Sequence, residues 1–389
     1  MNTEYRFDKK IGILGGGQLG KMICLEATRL DLEIHILDKS KSYPAAHLCS
    51  RFVKGDFTNY EDVIHFGKDL DIITIEIERV NVEALKELER MGKEVYPQPN
   101  ALEIIQDKGK QKDFYNKHVL PTSAHQHFEN KAAIVAAIDD GDLSLPFVQK
   151  ACQDGYDGKG VHVVKSNEDV NDIMDTKSIV ESLVDIDKEL AVIVARNPTG
   201  ELITYPVVEM EFHPTANLVE YLLCPSSVSQ EIAAQADILA RQVMKAFDLC
   251  GLLAVEMFLT KSGELLINEV APRPHNSGHH TLDAAHTSQF EQHLRAILNL
   301  PLGDTSNICA SVMVNLLGDA NHTGEVIYMG MEEAMNIPGA NIMLYGKTET
   351  RPHRKMGHAT LLADNVNVAR DNARKLKQVL NIKSKTYNG

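Results

Sequence analysis

The chain has 389 residues, 43% hydrophobic and 24% charged, which supplies two or three domain cores and excludes a mainly disordered chain. Its 40 basic and 54 acidic residues leave a net charge of −14, against a broadly basic face for nucleic acid or anionic membrane. No apolar run reaches the ~18 residues of a membrane span.

The opening MNTEYRFDKK carries acidic residues and no long apolar stretch, so no secretory leader is expected. Residues 11–14 (IGIL) read as a strand, followed by Gly15-Gly16-Gly17-Gln18-Leu19-Gly20. Leu19, Ile23, Ala27 and Leu30 then recur at helical spacing. Strands are expected at 33–38 and 71–77, with a helix through Val82, Leu85 and Leu88. This alternation predicts a parallel sheet over roughly the first 100 residues. A helix is expected over 106–120, stopped at Pro121. Strands at 147–152 and 161–165 flank the glycine-rich loop QDGYDGKG, and further strands fall at 178–184 and 189–196. Beyond these, strands are expected at 203–211 and 218–224 and a helix at 232–247. A hairpin of 254–260 and 265–270 turns at Lys261-Ser262-Gly263-Glu264. A helix near 286–298, strands at 311–317 and 358–363, and a helical stripe through Ala369, Ala373, Leu376 and Leu380 complete the chain. The pattern predicts an α/β (in part α+β) protein in three parts: 1–105, 106–188 and 189–389.

The six cysteines, Cys24, Cys49, Cys152, Cys224, Cys250 and Cys309, are scattered without zinc-ligand spacing, which suits reduced thiols.

Five features carry chemistry. Gly15-x-Gly17-x-x-Gly20 lies between a strand and a helix, and Asp38 closes the second strand. That arrangement fits a dinucleotide turn, another ligand, or a tight turn alone. Gly155-Tyr156-Asp157-Gly158-Lys159-Gly160, with Lys150 upstream, can expose amides and ammonium groups to phosphate oxygens, or form a plain hairpin turn. Counting back from the Ser262-Gly263 turn, Thr260 faces Leu265 and Glu256 faces Glu269. Two facing carboxylates repel, and Mg²⁺ would remove the conflict. The bland alternative is two solvated acids. Arg273-Pro274-His275-Asn276 offers donors for a small oxyanion, and His275 with His279 has the spacing of a metal pair. Finally, residues 347–355 (KTETRPHRK) gather Lys347, Arg351, Arg354 and Lys355, either as a solvated run or as a phosphate-monoester site.

Together, GGGQLG at 15–20, EIE at 76–78, DK at 107–108, GYDGKG at 155–160, VES at 180–182, ELAVIVAR at 189–196, LLINEVAPRPHNSGH at 265–279 and YGKTETRPHRKMGH at 345–358 resemble the ATP-grasp superfamily. The likeness is greatest to the N5-carboxyaminoimidazole ribonucleotide synthetase family and covers nearly the whole chain. It implies a Rossmann-like first domain, a small lid domain and a larger C-terminal domain. It also implies carboxylation of 5-aminoimidazole ribonucleotide (AIR) by bicarbonate and ATP through carboxyphosphate, in purine biosynthesis.

By that resemblance Lys108, Lys150, Gly155, Tyr156, Asp157, Gly158, Lys159, Gly160 and Val161 contact ATP. Glu181, Ser182, Leu183 and Val184 edge the adenine, Glu189 holds the ribose, and His213 and Asn268 join the nucleotide site. Glu256 and Glu269 bind Mg²⁺. Arg273, His275 and Asn276 hold bicarbonate or carboxyphosphate. Gln18, Leu19, Glu76, Tyr156, Asp157, His275 and Asn276 face AIR, with Lys347 and Arg354 on its phosphate. Asp157 is the expected base and His275 the alternative. A cytoplasmic homodimer, functionally linked to a downstream mutase, is the implied setting. The rival readings are a formate-dependent glycinamide ribonucleotide transformylase, an NAD-dependent oxidoreductase and a non-catalytic nucleotide sensor.

Overall fold

The computed structural model describes residues 7–153, 155, 160–212 and 218–385. The first sheet is parallel, in the order Arg51–Lys54, Glu33–Asp38, Lys10–Leu14, Ile72–Ile75, Glu94–Val95. Its central strands are apolar on both faces because helices cover both, as a parallel sheet requires. The strand Arg51–Lys54 escapes the hydrophobic pattern: it is an edge strand with no buried residue.

A four-stranded antiparallel sheet follows, in the order His125–Phe128, Ser178–Ser182, Phe147–Ala151, Val161–Val164. The helix expected over 106–120 is Lys108–Lys117, and a second helix that was not expected, Pro99–Ile105, precedes it. Asp107 separates them by capping Lys108–Lys117, accepting from the amides of Gly109 and Lys110.

The third sheet runs Leu265–Ala271, Gly251–Thr260, Ile186–Arg196, Val208–Phe212, Val219–Cys224, Ala310–Leu317, Lys355–Ala363, Ala340–Leu344, with Leu202–Thr204 paired onto Ile186–Arg196. The strand expected at 203–211 is thus two, and Pro206, which has no amide to give a ladder, lies in the break. Helix Gln289–Ile297 starts later than expected because Ser288 caps it. Its Phe290, Leu294 and Ile297 pack into one core with Ile11, Ile13 and Ile23, joining the first and last parts of the chain. All six cysteines are free. No helix among the described residues is long and apolar enough to cross a membrane.

Candidate active site

The hairpin Gly251–Thr260/Leu265–Ala271 pairs Glu256 with Glu269, as the count predicted, but by a different path. At the turn it is Leu259, not Thr260, that faces Leu265. A bulge between the Glu256 and Met257 pairs, which leaves Asn268 unmatched, restores the acid pairing. On the neighbouring strand Ala191 faces Glu256, so Glu189, two residues away, lies on the same face. Three carboxylates therefore share one surface. Burial, then the charges of Glu269 and Glu189, push the Glu256 carboxyl well above its usual range. Lys108 holds Glu269 well below it. Burial lifts Glu189 to about 7.

Cations face these acids from the central sheet and its helix. Lys108, the first residue of helix Lys108–Lys117, pairs with Glu269. Lys150 donates to Asn268 Oδ1 at 2.9 Å and pairs with Glu181 at 3.1 Å. Lys150 also opposes Val161 across the strands that carry the glycine-rich loop. The Gly155 and Gly160 backbones close that loop's neck: a Cβ on Gly160, whose φ is +75°, would stand 3.2 Å from the Gly155 Cα. Tyr156, Asp157, Gly158, Lys159 and His213 lie outside the described residues.

Lys112 was not expected in the site. It is one turn beyond Lys108, so the i, i+4 spacing places both on one helix face. Its ammonium is 3.2 Å from Glu181, with both side chains 3% exposed. Burial lowers Lys112 to about 8, outweighing the pull of Glu181. Burial raises Glu181, but Lys150, Lys112 and the 2.6 Å hydrogen bond from Ser123 Oγ hold it at about 2. The Glu181 direction decides the pair's worth, because one carboxylate there serves two ammonium groups. Glu181→Gln is expected to lower unfolding free energy by about 3–5 kcal/mol, since it strips a buried ammonium of its counter-ion. Urea unfolding measures this. The wild-type margin is lost as pH falls from 4.5 towards 2, because only there does the unfolded state bind the proton that the folded carboxylate refuses. In the variant that acid dependence is absent.

Beside these side chains a cavity of about 350 Å³ is lined by Ser123, Ser182, Val184, Thr260, Lys261 and Leu266, among others. Leu183, between two lining residues, points outward and is exposed.

At the end of the hairpin, His275 Nε2 is 3.6 Å from Glu256 and its Nδ1 is 2.9 Å from Ser277 Oγ. Arg273 pairs with Glu78 at 2.7 Å, and Asn276 exchanges amide hydrogen bonds with Asn315. Gln289 clamps the His275 backbone: its Oε1 accepts from the amide at 2.9 Å and its Nε2 donates to the carbonyl at 2.8 Å. Nothing in the sequence pattern singles out that glutamine. His279, four residues from His275 at metal-pair spacing, is turned to other partners. His279 is buried, contacts Gln289 through Nδ1 and stacks near His358.

The amides of the first glycine turn are already engaged. Gly17 and Gly20 donate to Glu76 at 2.6 and 2.8 Å, and Gly16 donates to Asp38 at 2.7 Å. A Cβ on Gly17 would stand 2.6 Å from Glu76 Oε1, so glycine there makes room for a carboxylate. A pyrophosphate could not reach these donors, which removes the dinucleotide reading.

Helix Gln18–Arg29 begins at this turn with Gln18 and Leu19, and its Lys21 reaches across to the Leu344 carbonyl at 2.8 Å. Lys21 thus joins the basic run, where Lys347 donates to the Lys355 carbonyl at 2.6 Å and Arg354 to the Glu349 carbonyl at 2.7 Å. Lys355 is within electrostatic reach of Glu256.

The comparisons with known proteins agree with this layout. Residues 8–106 match the ribonucleotide synthetase preATP-grasp domain, 113–290 the ATP-grasp domain, and 311–372 the phosphoribosylaminoimidazole carboxylase C-terminal domain. The N5-carboxyaminoimidazole ribonucleotide synthase of Bacillus subtilis is 37% identical, covering 90% of this chain and 91% of that one. The chain belongs to the N5-carboxyaminoimidazole ribonucleotide synthetase family of ATP-grasp proteins. The chloroplastic phosphoribosylaminoimidazole carboxylase of Vigna aconitifolia is also 37% identical over 94% of this chain, which spans 66% of that longer protein. Among solved structures, the family member from Thermotoga maritima superposes with a TM-score of 0.89 at 40% identity, covering 97% of this chain and all of that one. The Aspergillus clavatus N5-carboxyaminoimidazole synthase, in complex with ADP and AIR, gives 0.88 at 32% identity, covering 96% and 99%. In this family member the Rossmann-like turn therefore cradles its own Glu76.

Proposed function

We propose that the chain carboxylates AIR with bicarbonate and ATP, releasing N5-carboxyaminoimidazole ribonucleotide, ADP and phosphate. The observation that carries this reading is one continuous polar surface. On it Lys108, Lys150 and Asn268 meet Glu269 and Glu256, and His275 stands 3.6 Å from Glu256. Nucleotide phosphates and a small oxyanion could thus be held side by side. We assign the nucleotide to residues 106–188 and the carboxylate face of 189–389, and AIR to the border of 1–105 with 189–389.

The paired acids fit Mg²⁺. Glu256 is pushed towards its neutral form by burial and by Glu269, a conflict that a divalent ion removes. When bound, the ion would supply charge neutralisation for the phosphates, with Glu256 and Glu269 as its protein ligands.

Lys108 and Lys150 orient the phosphates, while Ser182, Leu183 and Val184 edge the base and Glu189 the ribose. The γ-phosphoryl passes to a bicarbonate oxygen held by Arg273, His275 and Asn276. The amine nitrogen of AIR then bonds to the carboxyl carbon of carboxyphosphate, and phosphate leaves with the bonding pair. The amine proton goes to Asp157 or to His275 Nε2, which faces Glu256. The intermediate hydrolyses readily, so the reaction requires that water be kept from it. Lys347 and Arg354 hold the AIR phosphate, with Gln18, Leu19 and Glu76 beside the imidazole. Six free thiols suit the cytoplasm, and a homodimer passing product to a mutase completes the reading.

Steady-state ADP release, with AIR and bicarbonate omitted in turn, tests the proposal. Turnover is expected only when both are present. Full ADP release without AIR, or formate replacing bicarbonate, would sink it.

A further inference from the structure

Away from this surface, one group of side chains has ligand chemistry that the proposed reaction does not use. His125 and His127 lie two residues apart on the edge strand His125–Phe128, so both project to the same face of the central sheet. Helix Lys108–Lys117 crosses that face. Lys112 reaches the inner strand at Glu181, and the next residue, Asp113, turns to the edge strand.

Asp113 Oδ1 is 2.9 Å from His127 Nε2 and 3.5 Å from His125 Nε2, and the candidate ligand atoms all lie within 4.8 Å of one another. The two rings meet nearly edge to face, with planes 75° apart. Both Nε2 atoms converge on the same Asp113 oxygen, as ligands gathered around one ion do. A second feature holds the geometry. The His127 ring lies over the first turn of the helix at Gly109, where a Cβ would stand 3.0 Å from its Cε1. The His125 side chain is 4% exposed, so its ring is fixed between helix and sheet. Asp113 and His127 remain open to solvent, which gives an ion a path in.

We propose that Asp113, His125 and His127 form a binding site for a first-row transition ion, with Zn²⁺ as the occupant of matching chemistry. Two imidazoles and a carboxylate are zinc ligands, and three protein ligands leave a fourth position for water. Mg²⁺ does not compete, because it takes oxygen ligands and keeps its waters. The ion ties the helix carrying Lys108 and Lys112 to the edge strand, next to the hold that Lys112 already has on Glu181. The site is thus a staple on the element that positions two active-site cations.

The test is calorimetric titration of ZnCl₂ into the EDTA-treated, dialysed full-length chain, without nucleotide and with MgCl₂ in large excess. One zinc per chain with micromolar affinity is expected, together with a zinc-dependent rise in Tm. His127→Ala should weaken this binding at least tenfold and abolish the Tm rise, and so should Asp113→Asn. His125→Gln is the counterpart for the buried ring, and unchanged Mg-ATP binding shows that each variant is folded. Glu269→Gln should keep its zinc, which separates this site from the paired acids of the hairpin. No zinc binding by the wild type, or equal binding by wild type and His127→Ala, would overturn the proposal. Loss of zinc in Glu269→Gln alone would do the same.

Discussion

If Glu269 is the Mg²⁺ ligand proposed above, replacing it by Gln is expected to lower kcat by about a thousandfold or more, since losing a charged metal ligand forfeits several kcal/mol of charge stabilisation and ~1.4 kcal/mol is tenfold in rate. The fold should survive. Glu269 loses its pair with Lys108, but its side chain is 44% exposed, so that pair contributes only about 0–1 kcal/mol. Against this loss, the variant removes the charge that pushes Glu256 towards its neutral form. The two effects oppose one another, and Tm without nucleotide should stay close to wild type. The variant should instead lose the Tm rise that Mg-ATP gives the wild type, because ligand stabilisation scales with affinity for the native state. Steady-state kinetics and thermal unfolding with and without Mg-ATP check both halves. Wild-type turnover would show that the hairpin acids have no part in the chemistry. A large Tm loss without nucleotide would show that Glu269 is structural.

Glu256 and Glu269 also show how far a sequence can be read. Their pairing was legible because a hairpin has a period of two and a recognisable turn. The bulge that leaves Asn268 unmatched was not legible, since nothing local marks the residue a ladder skips. The count reached the right pair only because its one-residue error at the turn and the bulge cancel. Lys108 was legible through its motif, and Lys112 could have been found from the helical spacing between them. Arg51–Lys54 was missed because an edge strand with no buried residue leaves no apolar alternation to detect. The glycine turn at 15–20 was ambiguous for another reason. Its amides are satisfied by Glu76, some sixty residues away in sequence, and local pattern cannot report which distant acid fills a helix start. Gln289 and Lys21 belong to the same class. Each acts through the tertiary contact it makes and not through a motif of its own.

The basic run gives the second large effect. Arg354→Ala and Lys347→Ala are each expected to raise the KM for AIR about ten- to a hundredfold, the loss of one charge-assisted hydrogen bond of roughly 1.5–3 kcal/mol. Both side chains are held by backbone carbonyls of their own loop, Lys347 by Lys355 and Arg354 by Glu349. Those bonds use part of each cation's donor capacity, since an ammonium has three N–H groups and a guanidinium five. Neither carbonyl bond alone exhausts its cation. Lys21 reaches the same loop from the helix that begins at Gln18, so the phosphate of AIR would lie where the first and last parts of the chain meet. The cations proposed to face the nucleotide, Lys108 and Lys150, come from the central part, so the KM for ATP should change far less. Lys347→Ala should have the smaller effect, because an ammonium is a point charge and a guanidinium a two-pronged donor. Varying each substrate in turn decides the matter. Equal rises in both KM values would move the run into the nucleotide site, and no change in either would reduce it to a solvated surface.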